Sequence, residues 1–205
     1  MGAQAKTAAG DGVDGIIDLP AGKIATVATY LEIGRDEAPE PGATPPGLSF
    51  DRLGGDLRRY RRLYAAVGER WLWFSRNALP DVRLRTVLAD PKVEALALVA
   101  EGRDIGFLEL DFRQPDVCEV AFLGLVPDAI GRGLGQVLIG AAIGRGFARP
   151  VRSLWLHTCT LDHPAALAFY MRAGFRPVRR AVEIADDPRL AGHLPRDAAP
   201  GYPLL

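Results

Sequence analysis

Glu119-Val120-Ala121-Phe122-Leu123-Gly124-Leu125-Val126-Pro127 is followed, after Asp128 and Ala129, by Ile130-Gly131-Arg132-Gly133-Leu134-Gly135-Gln136. The first part, within a strand expected from Val117 to Val126, is apolar on both faces apart from Glu119, as in a strand central to a sheet. The glycine-rich second part leads into a helix expected from about Leu134 to Ala148, with Leu134, Leu138, Ala141 and Ala142 along one face. A glycine turn between a buried strand and a helix start is either a tight turn and no more or a cradle for an anion. The backbone approaches the ligand closely, and free amides point at it with the helix dipole behind them. Two nucleotide motifs fail here. A Walker loop needs Gly-Lys-Ser/Thr at its end. A dinucleotide fingerprint needs a glycine where Gln136 stands and an acidic residue at the end of a strand about 20 residues on.

On the carboxyl side, Ser153 to Thr160 reads as a strand. Asp162-His163-Pro164 opens a second helix, with Pro164 suited to a first turn, and Gly174 closes it as a left-handed cap. Phe175 to Ile184 is a last strand, and the residues after Asp186 are expected to wrap as irregular coil. On the amino side, Val93 to Ala100 and Ile105 to Phe112 form a hairpin about the turn Glu101-Gly102-Arg103-Asp104. Asp56 to Glu69 is helical by the spacing of Leu57, Tyr60, Leu63, Tyr64 and Val67. Arg58, Arg59, Arg61 and Arg62 then form a solvated basic face. Four prolines make Glu37 to Gly47 a loop, and Lys23 to Ile33 carries the β-branched and aromatic bulk of a strand. Residues 1–15 read as a mobile tail, leaving 16–205 as one mixed α/β domain.

Composition agrees. A chain of 205 residues can bury roughly 70% of its unfolded surface without staples. Its 25 basic residues balance 25 acidic ones, which gives no electrostatic footprint for nucleic acid or an anionic membrane. No apolar run reaches the roughly 18 residues of a membrane span, and the amino terminus lacks a signal-peptide pattern. A cytoplasmic protein is expected. Cys118 and Cys159 sit in apolar surroundings that favour inert thiols. His157 and His163 lack a third ligand at sensible spacing, so no metal is expected.

The stretch from Val117 to Arg176 resembles the GNAT acyltransferase superfamily, which moves an acyl group from acyl-CoA to an amine. The strand from Glu119 to Pro127 and the turn from Ile130 to Gly135 match that family's CoA-binding elements. Ile130 departs from the usual Arg or Gln. Tyr170-Met171-Arg172-Ala173-Gly174-Phe175 matches a second element, the helix ending Tyr-x-x-x-Gly-Phe, with His163 where the family often has Asn. The resemblance implies a mixed, mostly antiparallel central sheet, splayed at the cofactor site and flanked by helices. It implies acetyl-CoA as cosubstrate, with Gly131, Arg132, Gly133, Leu134, Gly135 and Gln136 around its pyrophosphate. Backbone groups of Leu125 and Val126 would meet the pantetheine arm, and His163 would cap its helix or touch CoA.

Glu119 has two readings: a charge paired or placed at a strand edge, or the general base that takes a proton from an ammonium substrate. Tyr170 is either core or, as the family implies, the acid for the departing sulfur. Trp71, Trp73 and Phe74 pack as core or lid, or line an acceptor pocket where Arg76 would suit a carboxylate. The resemblance thus implies an N-acetyltransferase acting on a primary amine, small-molecule or peptide, by direct attack, with a homodimer one available state. A GNAT module that binds acyl-CoA without turnover is the alternative.

Overall fold

The computed structural model describes residues 15–205; the tail expected over residues 1–15 lies outside these apart from the exposed Gly15. The elements run β1 Lys23–Gly34, β2 Leu48–Arg52, α1 Leu57–Gly68, α2 Asp81–Ala89, β3 Val93–Ala100 and β4 Arg103–Asp111. There follow β5 Val117–Leu125, α3 Leu134–Phe147, β6 Ser153–Cys159, α4 Ala166–Arg172 and β7 Arg176–Asp186. Every expected strand and helix is present, and two elements are added to the sequence reading. β2 is a five-residue edge strand paired to β3, and α2 starts at Pro80 as N-cap and buries Leu84 and Leu88.

All seven strands form one sheet in the order β2-β3-β4-β5-β6-β1-β7. β5 and β6 run parallel and the other neighbours antiparallel, so the sheet is mixed and mostly antiparallel. The first strand in sequence lies between the last two, which leaves β7 at an edge. Neighbouring residues of β4 show which helix covers which face. An added Cβ at Gly106 would meet Leu138 of α3, whereas Phe107 packs edge-on against Tyr60 and Tyr64 of α1. Side chains alternate across a strand, so α1 and α3 lie on opposite faces of the sheet.

The basic face expected on α1 is partly structural. Arg59 grips Asp104 at 2.6 Å and Asp51 at 2.9 Å. Arg61 holds Asp81 at 2.8 Å and donates to the Leu79 carbonyl at 2.7 Å. Arg62 also reaches Asp104 at 3.6 Å, so three of the four arginines link α1 to β2, β4 or the start of α2.

The residues after Asp187 are irregular, as expected, but firmly seated. Arg189, 4% exposed, pairs with Asp187 at 2.7 Å and donates to the Tyr202 carbonyl at 2.7 Å. Leu194 and Ala198 then pack with Ile24 and Leu72, backing one wall of the central cleft.

Candidate active site

The site starts from a break in the sheet. The parallel pairing of β5 with β6 runs from Val117↔Ser153 to Glu119↔Trp155 and stops. At the same level β5 carries a bulge against β4: Leu110 pairs with Val120 and Glu109 with Phe122, so Ala121 has no partner. A bulge bends its strand and increases local twist, which turns the second half of β5 away from β6. The opening is a cleft of about 1040 Å³ that runs through the sheet.

Backbone groups line its β5 edge. The Val126 amide donates to Ile105 of β4 at 3.1 Å, and the Val126 carbonyl accepts from Ala129 at 3.0 Å. Val126 is therefore spent, and it does not line the cleft. Antiparallel ladders alternate bonded and non-bonded pairs. The amides and carbonyls of Leu123 and Leu125 consequently face the opening. Of the two backbone positions named from the sequence, the structure brings Leu125 to the cleft, together with Leu123, which the sequence reading missed.

The glycine turn closes one end. Gly131 and Gly133 have φ of +81° and +76°, a region costly for other residues, and a Cβ on either would enter open space. Gly133 caps α3, and among the described residues no side chain satisfies that helix's first amides. An anion is what such a helix start lacks. Gly131, Gly133, Gly135 and Gln136 line the cleft, whereas Arg132 and Leu134 do not. The Gln136 amide already donates to the Gly133 carbonyl at 3.1 Å.

Tyr170 reaches the cleft from α4 and is 9% exposed. Burial, and secondarily the charge of Asp162, push its pKa above the ordinary phenol value, so it stays protonated. His163 also lines the cleft; its Nδ1 accepts from the Ala165 amide at 3.1 Å, and its ring meets Trp71 at 5.4 Å.

On the other face, Glu119 is half-buried at the last paired position of β5. Its pKa is pushed up to about 6, chiefly by burial and next by Asp111, which sits directly opposite on β4. Burial is thus joined by the charge of a second carboxylate. Arg76 and Arg113 oppose the shift, and Arg113 is clamped to Asp111 through Nε and Nη2.

Trp71, Trp73, Phe74 and Arg76 all line this half of the cleft. Trp73 lies where it does because Gly68 has no side chain: a Cβ there would come within 2.5 Å of the indole. Arg76 is already matched. Its Nη2 meets Oε1 of Glu109 at 2.6 Å, while Tyr60 donates its hydroxyl to Oε2 at 2.5 Å. Glu109 is fully buried. An unpaired carboxylate there would cost several kcal/mol, and the arginine and the phenol supply its partners.

Asp162 is another cleft-lining residue that the sequence reading did not single out for the site. Its Oδ1 accepts from the Trp73 indole at 3.2 Å, and its Oδ2 from Thr158 Oγ1 at 2.9 Å and the Cys159 amide at 2.8 Å. It ties the aromatic segment around Trp73 to the end of β6, just ahead of α4. An Asp just after a strand and before a helix was the available signal, read only as a helix opening. His157 is exposed on β6 beside Tyr30 rather than packed in a core.

Known proteins agree with this architecture. The profile of the Acetyltransferase (GNAT) family matches residues 60–175. A mycothiol acetyltransferase from Clavibacter michiganensis is 38% identical over 98 residues, covering 47% of this chain and 31% of that protein. A mycothiol acetyltransferase from Cellulomonas flavigena is 28% identical over 213 residues, covering 92% of this chain and 59% of that protein. The chain thus spans between about a third and three fifths of the length of these relatives. Among solved structures, a GCN5-related N-acetyltransferase from Sphaerobacter thermophilus superposes with TM-score 0.60 at 20% identity, over 79% of this chain and 52% of that one. One from Kribbella flavida gives TM-score 0.54 at 17% identity, over 83% and 63%. With more than half of its length matched by the family profile, this chain belongs to the GNAT acetyltransferase family.

Proposed function

We propose that this chain is an acetyl-CoA-dependent N-acetyltransferase that acts on a primary amine by direct attack. The observation that carries the reading is one cleft with a half-buried carboxylate of raised pKa on one side and a protonated phenol on the other. Glu119, ionised above pH of about 6, takes a proton from the incoming ammonium, directly or through a water. The amine nitrogen forms its bond to the acetyl carbon as the carbon–sulfur bond breaks. Tyr170 gives its hydroxyl proton, or a hydrogen bond, to the departing thiolate, and the second proton lost by the nitrogen restores the phenol or passes to water. Gly131, Gly133 and the first amides of α3 suit a pyrophosphate, and the outward backbone groups of Leu123 and Leu125 suit the amides of a pantetheine arm. No cysteine is needed as a relay, and burial pushes the Cys118 thiol up to about 12, which disfavours its thiolate.

The relatives named for mycothiol make small-molecule amines the first acceptors to try. The test is release of free CoA thiol from acetyl-CoA across a panel of such amines and amine-bearing peptides. Amine-dependent release above the hydrolytic background is expected. Tight acetyl-CoA binding with no amine-dependent release would replace the enzyme with a binding module.

A further inference from the structure

Among the described residues, β7 ends the sheet with its outer edge uncovered. Nine of its 11 residues are exposed. Val178, Val182 and Ile184 are 60%, 66% and 54% exposed, and Val27, opposite Val182, is 42% exposed. A long edge strand with apolar side chains in solvent templates pairing with another strand.

The hydrogen-bond phase of β7 is fixed by its inner neighbour. The Asp187 amide bonds the Gly22 carbonyl at 2.9 Å, and the same register pairs Thr26 with Glu183 and Ala28 with Ala181. Alternation assigns the odd residues' backbone groups to β1 and turns those of Arg180, Val182 and Ile184 outward. Arg179 and Glu183 point to the cleft face: Arg179 lies 3.7 Å over the Tyr30 ring, and Glu183 lines the cleft rim. Among the described residues, neither has an ion-pair partner within 4 Å.

We propose that the free edge of β7 pairs with β7 of a second copy of this chain, antiparallel and centred on Ala181. In this register Arg180 and the partner's Val182 exchange backbone hydrogen bonds on both sides of the axis, using the groups that point outward. Arg179 then faces the partner's Glu183, and Glu183 the partner's Arg179, at the closely spaced non-bonded positions where cross-strand side chains meet best. Val182 and Ile184 of both copies, exposed in one chain alone, come together beside the axis. Neighbouring registers lose this match. Centring on Arg180 sets that arginine against itself, and centring on Val182 leaves Arg179 and Glu183 opposite alanines. Pro177 lies past the irregularity in the β1 ladder between Tyr30 and Leu31, outside the central pairs from Arg179 to Glu183. The pairing also sets an arginine from the second copy at the rim of each acceptor cleft.

Sedimentation of the full 205-residue chain over a concentration series tests this. A monomer–dimer equilibrium is expected. Arg179→Glu and Glu183→Arg should each weaken the dimer by about 10-fold or more, because each places two like-charge pairs across the axis. The double variant Arg179→Glu/Glu183→Arg restores both pairs and should recover dimerisation to within a few-fold of the original. Circular dichroism and thermal unfolding of each variant separate loss of pairing from loss of fold. A chain that stays monomeric at every concentration, singles that dimerise normally, or a folded double variant as weak as the singles would each overturn the proposal.

Discussion

The two halves of the cleft, one proposed for the cofactor and the other for the acceptor, are built from different materials. The cofactor half is mostly main chain: two left-handed glycines, an uncapped helix start and the outward backbone groups of a bulged strand. The acceptor half is mostly side chain, with Glu109, Arg76 and Tyr60 buried together and Asp111, Arg113 and Glu119 beside them. A main-chain site presents the same groups whichever side chains surround it, provided the turn is kept. A side-chain site depends on ion pairs buried at considerable cost, and it fails when one member is removed. The difference predicts which substitutions damage folding and which damage only binding or rate.

The largest effect should come from the acceptor half. Glu109→Ala leaves the Arg76 guanidinium without its carboxylate and Tyr60 without its acceptor. Breaking one partner of a buried pair costs about 3–5 kcal/mol, so a large drop in unfolding midpoint in urea is expected, with or without cofactor. A variant as stable as the parent would show that Arg76 swings into the cleft to be solvated, and the contrast between the halves would shrink.

Tyr170→Phe comes next and separates chemistry from architecture. The ring stays between Phe169 and Phe175, so stability and acetyl-CoA affinity should hold. The rate should fall about 10²-fold or more if the hydroxyl supplies the proton. Single-turnover measurements at saturating acetyl-CoA give the answer, and an unchanged rate would assign Tyr170 to packing alone.

Gly133→Val probes the main-chain half. The side chain meets no protein atom, so the fold should bear it apart from the strain of a φ of +76°. The added atoms occupy the anion's position, so calorimetry should show acetyl-CoA binding weakened by about tenfold or more. Equal affinity would move the pyrophosphate away from this turn.

The same division explains what the sequence disclosed. The cofactor half was legible because its signals are local: glycines at fixed spacing between an apolar strand and a helical pattern, and Gly174 four residues after Tyr170. The acceptor half was not. Arg76 meets Glu109 across 33 positions and Tyr60 meets it across 49, and no spacing rule announces such pairs. Arg76 therefore read as a spare cation. β2 followed a proline loop too closely to stand out, and α2 offered only Leu84 and Leu88 as a periodic signal. The insertion of β1 between β6 and β7 is a long-range pairing that local pattern does not encode. The bulge at Ala121 was equally hidden, since Glu119, Ala121 and Leu123 read as an unbroken alternation.

The smallest expected effect is the sharpest probe of how the halves cooperate. Glu119 titrates at about 6 because it is buried and faces Asp111 and Glu109, with Arg76 and Arg113 pulling the other way. A base must be ionised to act, so the rate at saturating acetyl-CoA should rise with pH through that value and level off above it. Asp111→Asn removes a negative charge opposite Glu119 and releases Arg113 from its clamp. Both changes favour the carboxylate, so the rising limb should move to lower pH while the plateau changes little. Glu119→Gln should abolish the limb and lower the plateau, since no base remains to titrate. The amine's own ionisation adds a limb of its own, so all three proteins are compared with one acceptor. A limb that stays fixed in Asp111→Asn and survives in Glu119→Gln would belong to the amine. Glu119 would then be a structural charge, and the acceptor half would only position a substrate that arrives neutral.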